Sequence, residues 1–137
     1  MLMTSAGADA VELRLDMSER STCEPPLLDR RPVAELIEVL GAPSVREVIA
    51  KFTADTTARL VALDAAAGAR RFTEIDNHLH TLKTTSATLG LVRLSDLARA
   101  IETSVARSGG HAAWHDALRP VFQASIAALA AAFPELA

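Results

Sequence analysis

Phe72-Thr73-Glu74-Ile75-Asp76-Asn77-His78-Leu79-His80-Thr81-Leu82-Lys83-Thr84-Thr85-Ser86-Ala87-Thr88-Leu89-Gly90 carries the period of one amphipathic helix. On a helical wheel each residue advances about 100°. With His80 set at zero, Leu89, Leu82, Ile75, Ser86, Leu79 and Phe72 occupy an arc from about 180° to about 280°. That arc is one continuous core face. Asp76, Lys83, Thr84, Ala87 and Thr73 fall within about 60° of His80, so His80 is expected on the outward face among small and charged neighbours. His78 lies about 160° away, at the margin of the core arc. Two histidines so placed cannot chelate one metal ion, because residues two apart on a helix face apart.

Outward from this helix the punctuation repeats. Gly90 is a helix stop, and Ser95 is expected to cap a following helix carrying Leu97, Ala98, Ile101 and Val105 as far as Ser108-Gly109-Gly110. A last helix is expected from about His111, through Trp114, Leu118, Phe122, Ile126 and Leu129, to Pro134. Pro120 inside it predicts a kink or a late start. Upstream, Ser44-Val45-Arg46-Glu47 reads as a capping box. The helix it opens carries Val48, Phe52, Thr56, Leu60 and Leu63 on one stripe and ends near Gly68. Asp29 is expected to cap a short helix with Pro32 in its first turn, running through Val33, Leu36, Ile37 and Leu40 to Gly41. Short links between amphipathic helices make antiparallel neighbours. The expected fold is all-α: an antiparallel up-down four-helix bundle with a short extra N-terminal helix, over residues 27–137.

Composition agrees and removes other classes. Half of the 137 residues are hydrophobic, Tyr is absent, and four Phe and one Trp are the only aromatics. A β-sandwich would spend more aromatic and β-branched residues. The net charge of −3 gives no basic stripe for nucleic acid. No apolar run reaches the roughly 20 residues of a membrane span. Residues 1–26 lack a helical period and read as a loosely docked tail; within it Val11 to Leu15 alternates as a short strand would. The tail shows no signal-peptide pattern. The single cysteine, Cys23, suits a reducing compartment, so a cytoplasmic protein is expected. Trp114 and Phe122 are read as core, and Arg30-Arg31 and Arg70-Arg71 as solvated pairs or the rim of a partner surface. His111 and His115 share a face at i and i+4, but surface polarity accounts for them, and no metal site is expected.

The segment from His80 to Gly90 resembles the signature of histidine-containing phosphotransfer (HPt) domains, His-x-Leu-Lys-Gly-x-Ser/Ala-x-x-Leu-Gly. Phe52 stands where that family has an aromatic residue in the preceding helix. Leu94, Leu97 and the Ile101-Glu102 pair match its helix after the Gly turn. The resemblance spans about residues 27–133.

It implies that His80 accepts a phosphoryl group and that Lys83, one turn on, stabilises it. Asp76, Thr84 and Ala87 would form a face on which receiver domains dock. The implied partners are receiver domains of a hybrid histidine kinase and of a response regulator. The implied cofactor is Mg²⁺ on the receiver, with none on this chain. No Gly-rich phosphate cradle or nucleotide motif is present, so the chain is not expected to be an autonomous kinase. One position departs from the signature: Thr84 replaces the usual Gly after Lys83. A monomer is expected, since the added helices through which relatives dimerise are not seen. Two other roles stand beside a relay intermediate. One is an HPt-like binder that inhibits a kinase or receiver without turnover, and the other a plain helical adaptor.

Overall fold

The computed structural model describes residues 25–108 and 116–136, with 104–108 described by backbone alone. Five α-helices follow one another: α1 (Arg31–Leu40), α2 (Ala42–Gly68), α3 (Phe72–Thr88), α4 (Val92–Ser108) and α5 (Leu118–Ala132). A 3₁₀ turn, Pro134–Leu136, closes the described chain, and no strand occurs among the described residues. Helix α2 packs on α3, α3 on α4, α4 on α5, and α5 returns to α2. The ring of four is the expected bundle, and α1 lies against α2 as the short extra helix.

The core fills as the periodicity requires. Ile75, Leu79, Leu82 and Leu89 from α3 and its turn are buried with Leu60 and Leu63 of α2, Leu94 and Ile101 of α4, and Leu118 and Leu129 of α5. Each such side chain contributes about 1.5–3 kcal/mol of burial. Phe52 and Phe122 meet edge-to-face at 6.2 Å across the α2–α5 seam, a geometry that places a ring's positive edge on its neighbour's negative face.

Helix ends explain the short links. At the end of α3 the Leu91 N–H donates to the Ser86 carbonyl at 2.9 Å and the Gly90 N–H to the Ala87 carbonyl at 3.0 Å. This is a Schellman turn with Gly90 at the left-handed position, φ +76°. The same two-bond pattern ends α2, where Arg71 and Arg70 donate to Ala66 and Ala67. Here Arg70 takes the left-handed conformation, φ 58°, and its guanidinium lies 5.4 Å from the Phe72 ring centroid. Gly90 has a second reason to be glycine. The Asp29 N–H donates to its carbonyl at 2.8 Å, and a Cβ there would lie 2.2 Å from the Asp29 carbonyl oxygen.

Several local expectations are corrected. Helix α2 begins at Ala42, not after Ser44, because Gly41 (φ +86°) lets the chain turn at once and Pro43 is tolerated in a first turn. Ser44 caps nothing. Ser95 lies inside α4, which starts at Val92, and its hydroxyl donates to the Lys83 carbonyl at 2.9 Å. Helix α5 begins at Leu118, the late start that Pro120 predicted, and Pro120 falls within its first turn. Val48 and Phe72, expected on core stripes, are 41% and 38% exposed: Val48 lines an open groove between α2 and α3, and Phe72 is the first residue of α3. Both Arg pairs are exposed, as expected, and they also make specific contacts. Arg30 donates to the Ala132 carbonyl, Arg31 pairs with Asp29, and Arg71 pairs with Glu74. The N-cap of α1 is Arg30, which makes no side-chain cap bond; Asp29, one residue before it, accepts the Arg31 N–H at 3.1 Å. With its hydrogen bonds to the Arg31 side chain and then its backbone, this lowers the Asp29 pKa to about 2. The expectations for residues 1–24, Trp114, His111 and His115 lie outside the described residues. Pro25, expected within the tail, accepts a hydrogen bond from Arg93 Nε at 2.9 Å.

Candidate functional site

His80 projects from the middle of α3 with its side chain 65% exposed, on the face the wheel assigned to it. Asp76, Thr84 and Ala87 are exposed beside it. Lys83, one turn on, is partly covered and directed across to α4. Its Nζ donates to Glu102 Oε1 at 3.0 Å, with side chains 29% and 21% exposed. The other oxygen, Oε2, lies 3.9 Å from His80 Nδ1, beyond hydrogen-bond reach but within the range of a direct charge interaction. The site is therefore a triad across two helices: an imidazole, an ammonium one turn along, and a carboxylate between them. The Ser95-to-Lys83 bond holds the two helices together behind it.

Local chemistry keeps this surface smooth. Thr84 Oγ1 donates to the His80 carbonyl at 3.0 Å, and Thr88 Oγ1 to the Thr84 carbonyl at 3.0 Å. Thr85 Oγ1 donates to the Thr81 carbonyl at 2.9 Å. On the α2 side of α3, round the helix from His80, a shallow, mostly apolar groove of about 340 Å³ runs between α2 and α3, lined by Val48, Phe52, Asp55, Thr81, Thr85 and Leu89.

His78 is a different histidine. It turns toward α2, where Arg59 lies 2.9 Å from its Nδ1. A guanidinium only donates, so Nδ1 accepts and the ring is neutral. Burial and then the Arg59 charge push its pKa below the usual histidine value. It shares nothing with His80.

Of the residues expected at the site, His80, Lys83, Asp76, Thr84 and Ala87 are all on the α3 outer face. Asp76 has no hydrogen bond to His80 among those the structure shows, so the imidazole is not oriented by it. The carboxylate beside the ring is Glu102, whose role the wheel of α3 could not give. The sequence signals for it are its position at the edge of the Ala98–Ile101 stripe and the match of the Ile101-Glu102 pair to the family's helix, neither of which gives it a role. Among the described residues no three His, Cys, Asp or Glu side chains converge as a metal-ligand set, and no helix is long and apolar enough to cross a membrane.

An exposed histidine with a lysine one turn along, on the second long helix of a four-helix ring, defines a class that sequence comparison names. The family model of the Hpt domain matches residues 47–132, and the chain belongs to that family. Membership carries a phosphotransfer role in two-component signalling, through receiver domains and without a kinase activity of its own. No curated protein and no solved structure matches the chain.

Proposed function

We propose that the protein is a phosphorelay intermediate, accepting a phosphoryl group on His80 from a receiver-domain aspartyl phosphate and passing it to a second receiver. The observation that carries this reading is the orientation of His80. Nδ1 faces the Glu102 carboxylate at 3.9 Å, which favours the tautomer with the proton on Nδ1 and leaves the Nε2 lone pair outward. That lone pair attacks phosphorus, the N–P bond forms, and the P–O bond of the aspartyl phosphate breaks with its electrons returning to the carboxylate. The reverse step, on a second receiver, regenerates the neutral ring. No proton need leave the imidazole.

Lys83 is close enough to offset charge on the phosphoryl oxygens in the loose transition state. Asp76, Thr84 and Ala87 form the docking face, continued by the groove beside Phe52. The Mg²⁺ that this chemistry uses belongs to the receiver's acidic pocket. The protein acts in the cytoplasm as a monomer, between a hybrid histidine kinase and a response regulator.

The test is incubation of the full chain with a phosphorylated receiver domain. His80→Gln is expected to abolish acid-labile phosphate on this chain while leaving its helical content unchanged, and His78→Gln to retain labelling. Labelling that survives in His80→Gln overturns the reading. A wild-type chain that binds receiver but never takes phosphate supports the inhibitory binder instead.

A further inference from the structure

We propose that Glu102 is a positioning residue that sets how readily the phosphoryl group leaves His80, an inference that rests on the phosphorelay reading. In the empty protein its Oε1 holds the Lys83 ammonium at 3.0 Å while Oε2 stands 3.9 Å from the ring. Both side chains of the ion pair are largely covered, so water and salt screen them less than an exposed pair. A phosphoryl group on Nε2 brings a second anion within reach of the same cation. Lys83 cannot satisfy both fully. Whatever contact it gives the phosphoryl oxygens is taken from Glu102, and the Glu102 charge itself repels the incoming anion. Each effect raises the loaded state relative to the empty one.

The carboxylate also acts on the leaving ring. It faces Nδ1, the ring nitrogen that does not carry phosphorus. When the receiver carboxylate attacks phosphorus, the N–P bond breaks, its electron pair returns to Nε2, and the ring departs neutral. Among the described side chains of α3, the other charged groups on this face are Lys83 and Asp76, and Asp76 is exposed where solvent screens it. Glu102 is thus the one partly covered anion beside the ring among the described residues.

The test loads the full chain with phosphoramidate, a small N–P donor that needs no partner protein, and follows phosphohistidine by ³¹P NMR. Glu102→Gln keeps shape and reach while removing the charge. The loaded form is expected to live about three- to tenfold longer, the scale of one partly screened charge at this separation. Its equilibrium with a purified receiver domain is expected to move toward His80 by a similar factor. Glu102→Asp, which keeps the charge, is expected to stay closer to wild type. A purely structural loss of the ion pair would lower loading, so the sign separates the two roles. In a Lys83→Ala background the prolongation by Glu102→Gln is expected to shrink; an equal prolongation there overturns the competition for Lys83. A Glu102→Gln lifetime equal to or shorter than wild type overturns the proposal. Failure of the wild-type chain to load at all overturns the phosphorelay reading beneath it.

Discussion

Lys83 and Glu102 are separated by 19 residues in sequence and by 3.0 Å in space, joined across the α3–α4 interface beside His80. The pair couples a site residue to bundle packing, so its two halves are expected to give different phenotypes. Lys83→Ala is expected to slow phosphoryl transfer by about 10- to 100-fold, the scale of one charge-assisted contact to a transition state. Stopped-flow transfer from a phosphorylated receiver checks it, and wild-type rates would reduce Lys83 to a packing role.

Thr84 borders His80 where the family's signature carries Gly. Its hydroxyl is committed to the His80 carbonyl, so the residue meets a partner as a small, mostly apolar bump. Thr84→Ala is expected to leave transfer to the cognate receiver within a few-fold and to broaden transfer to others, since removing an obstacle relaxes discrimination. Thr84→Arg is expected to block transfer while leaving phosphoramidate loading of His80 intact. Equal transfer rates for Thr84→Arg and wild type would place the docking surface elsewhere.

Gly90→Ala is expected to be among the most damaging single-methyl changes in the chain. The new Cβ would lie 2.2 Å from the Asp29 carbonyl oxygen, on a residue whose φ is +76°. Backbone must move on one side or the other. Destabilisation of about 2–4 kcal/mol is expected from left-handed strain plus loss of packing around the turn, read as a lowered urea midpoint. Gly68→Ala, where a Cβ meets nothing within 4 Å, is the control and is expected to be neutral or stabilising.

The pH dependence of folding isolates His78. Its folded pKa lies below the ordinary 6.5, so between the two values the unfolded chain binds more protons than the folded one. Stability therefore rises with pH through that interval. The contribution is complete above 6.5 and is lost as pH falls through the folded value. His78→Gln, whose amide oxygen can still accept from Arg59, is expected to flatten the slope of unfolding free energy between pH 5 and 7. An unchanged slope would mean that the Arg59 contact does not hold the ring neutral. Asp29, held at about 2, acts well below this window and loses its contribution only as pH falls from its unfolded value of 3.8 through that point.

The bundle and the face of His80 were legible because α3 is amphipathic along its whole length, so its wheel sorts Leu79 and Leu82 from His80 and Thr84 without knowledge of any neighbour. Helix starts were less legible. Ser44 and Ser95 have good capping chemistry, yet Gly41 and the Gly90 turn begin their helices earlier through backbone geometry that side-chain preference does not encode. Phe72 was misplaced because a wheel assigns direction and not coverage: it is the first residue of α3 and stays 38% exposed while Ile75 in the same turn is buried. Glu102 as the carboxylate beside the ring was out of reach for another reason. Its contact with Lys83 depends on the rotation of α4 about its own axis, which is fixed by the burial of Leu94, Ala98 and Ile101 where α4 packs on α3 and α5.

The threonines around His80 bear on chemoselectivity. A phosphoryl donor approaching this face meets several hydroxyl oxygens within a turn or two of the imidazole. An ester on any of them would be a dead end, because it would not hand the group on. In Thr84, Thr85 and Thr88 the hydroxyl proton is engaged by a carbonyl one turn back. Attack through such an oxygen would require giving up that bond and finding a base for the proton, and none of the three donates to a side chain that could serve. The imidazole needs no deprotonation. On the phosphorelay reading proposed above, these backbone bonds hold the three hydroxyls back and favour nitrogen as the acceptor, which would keep a captured group in a form that can leave again.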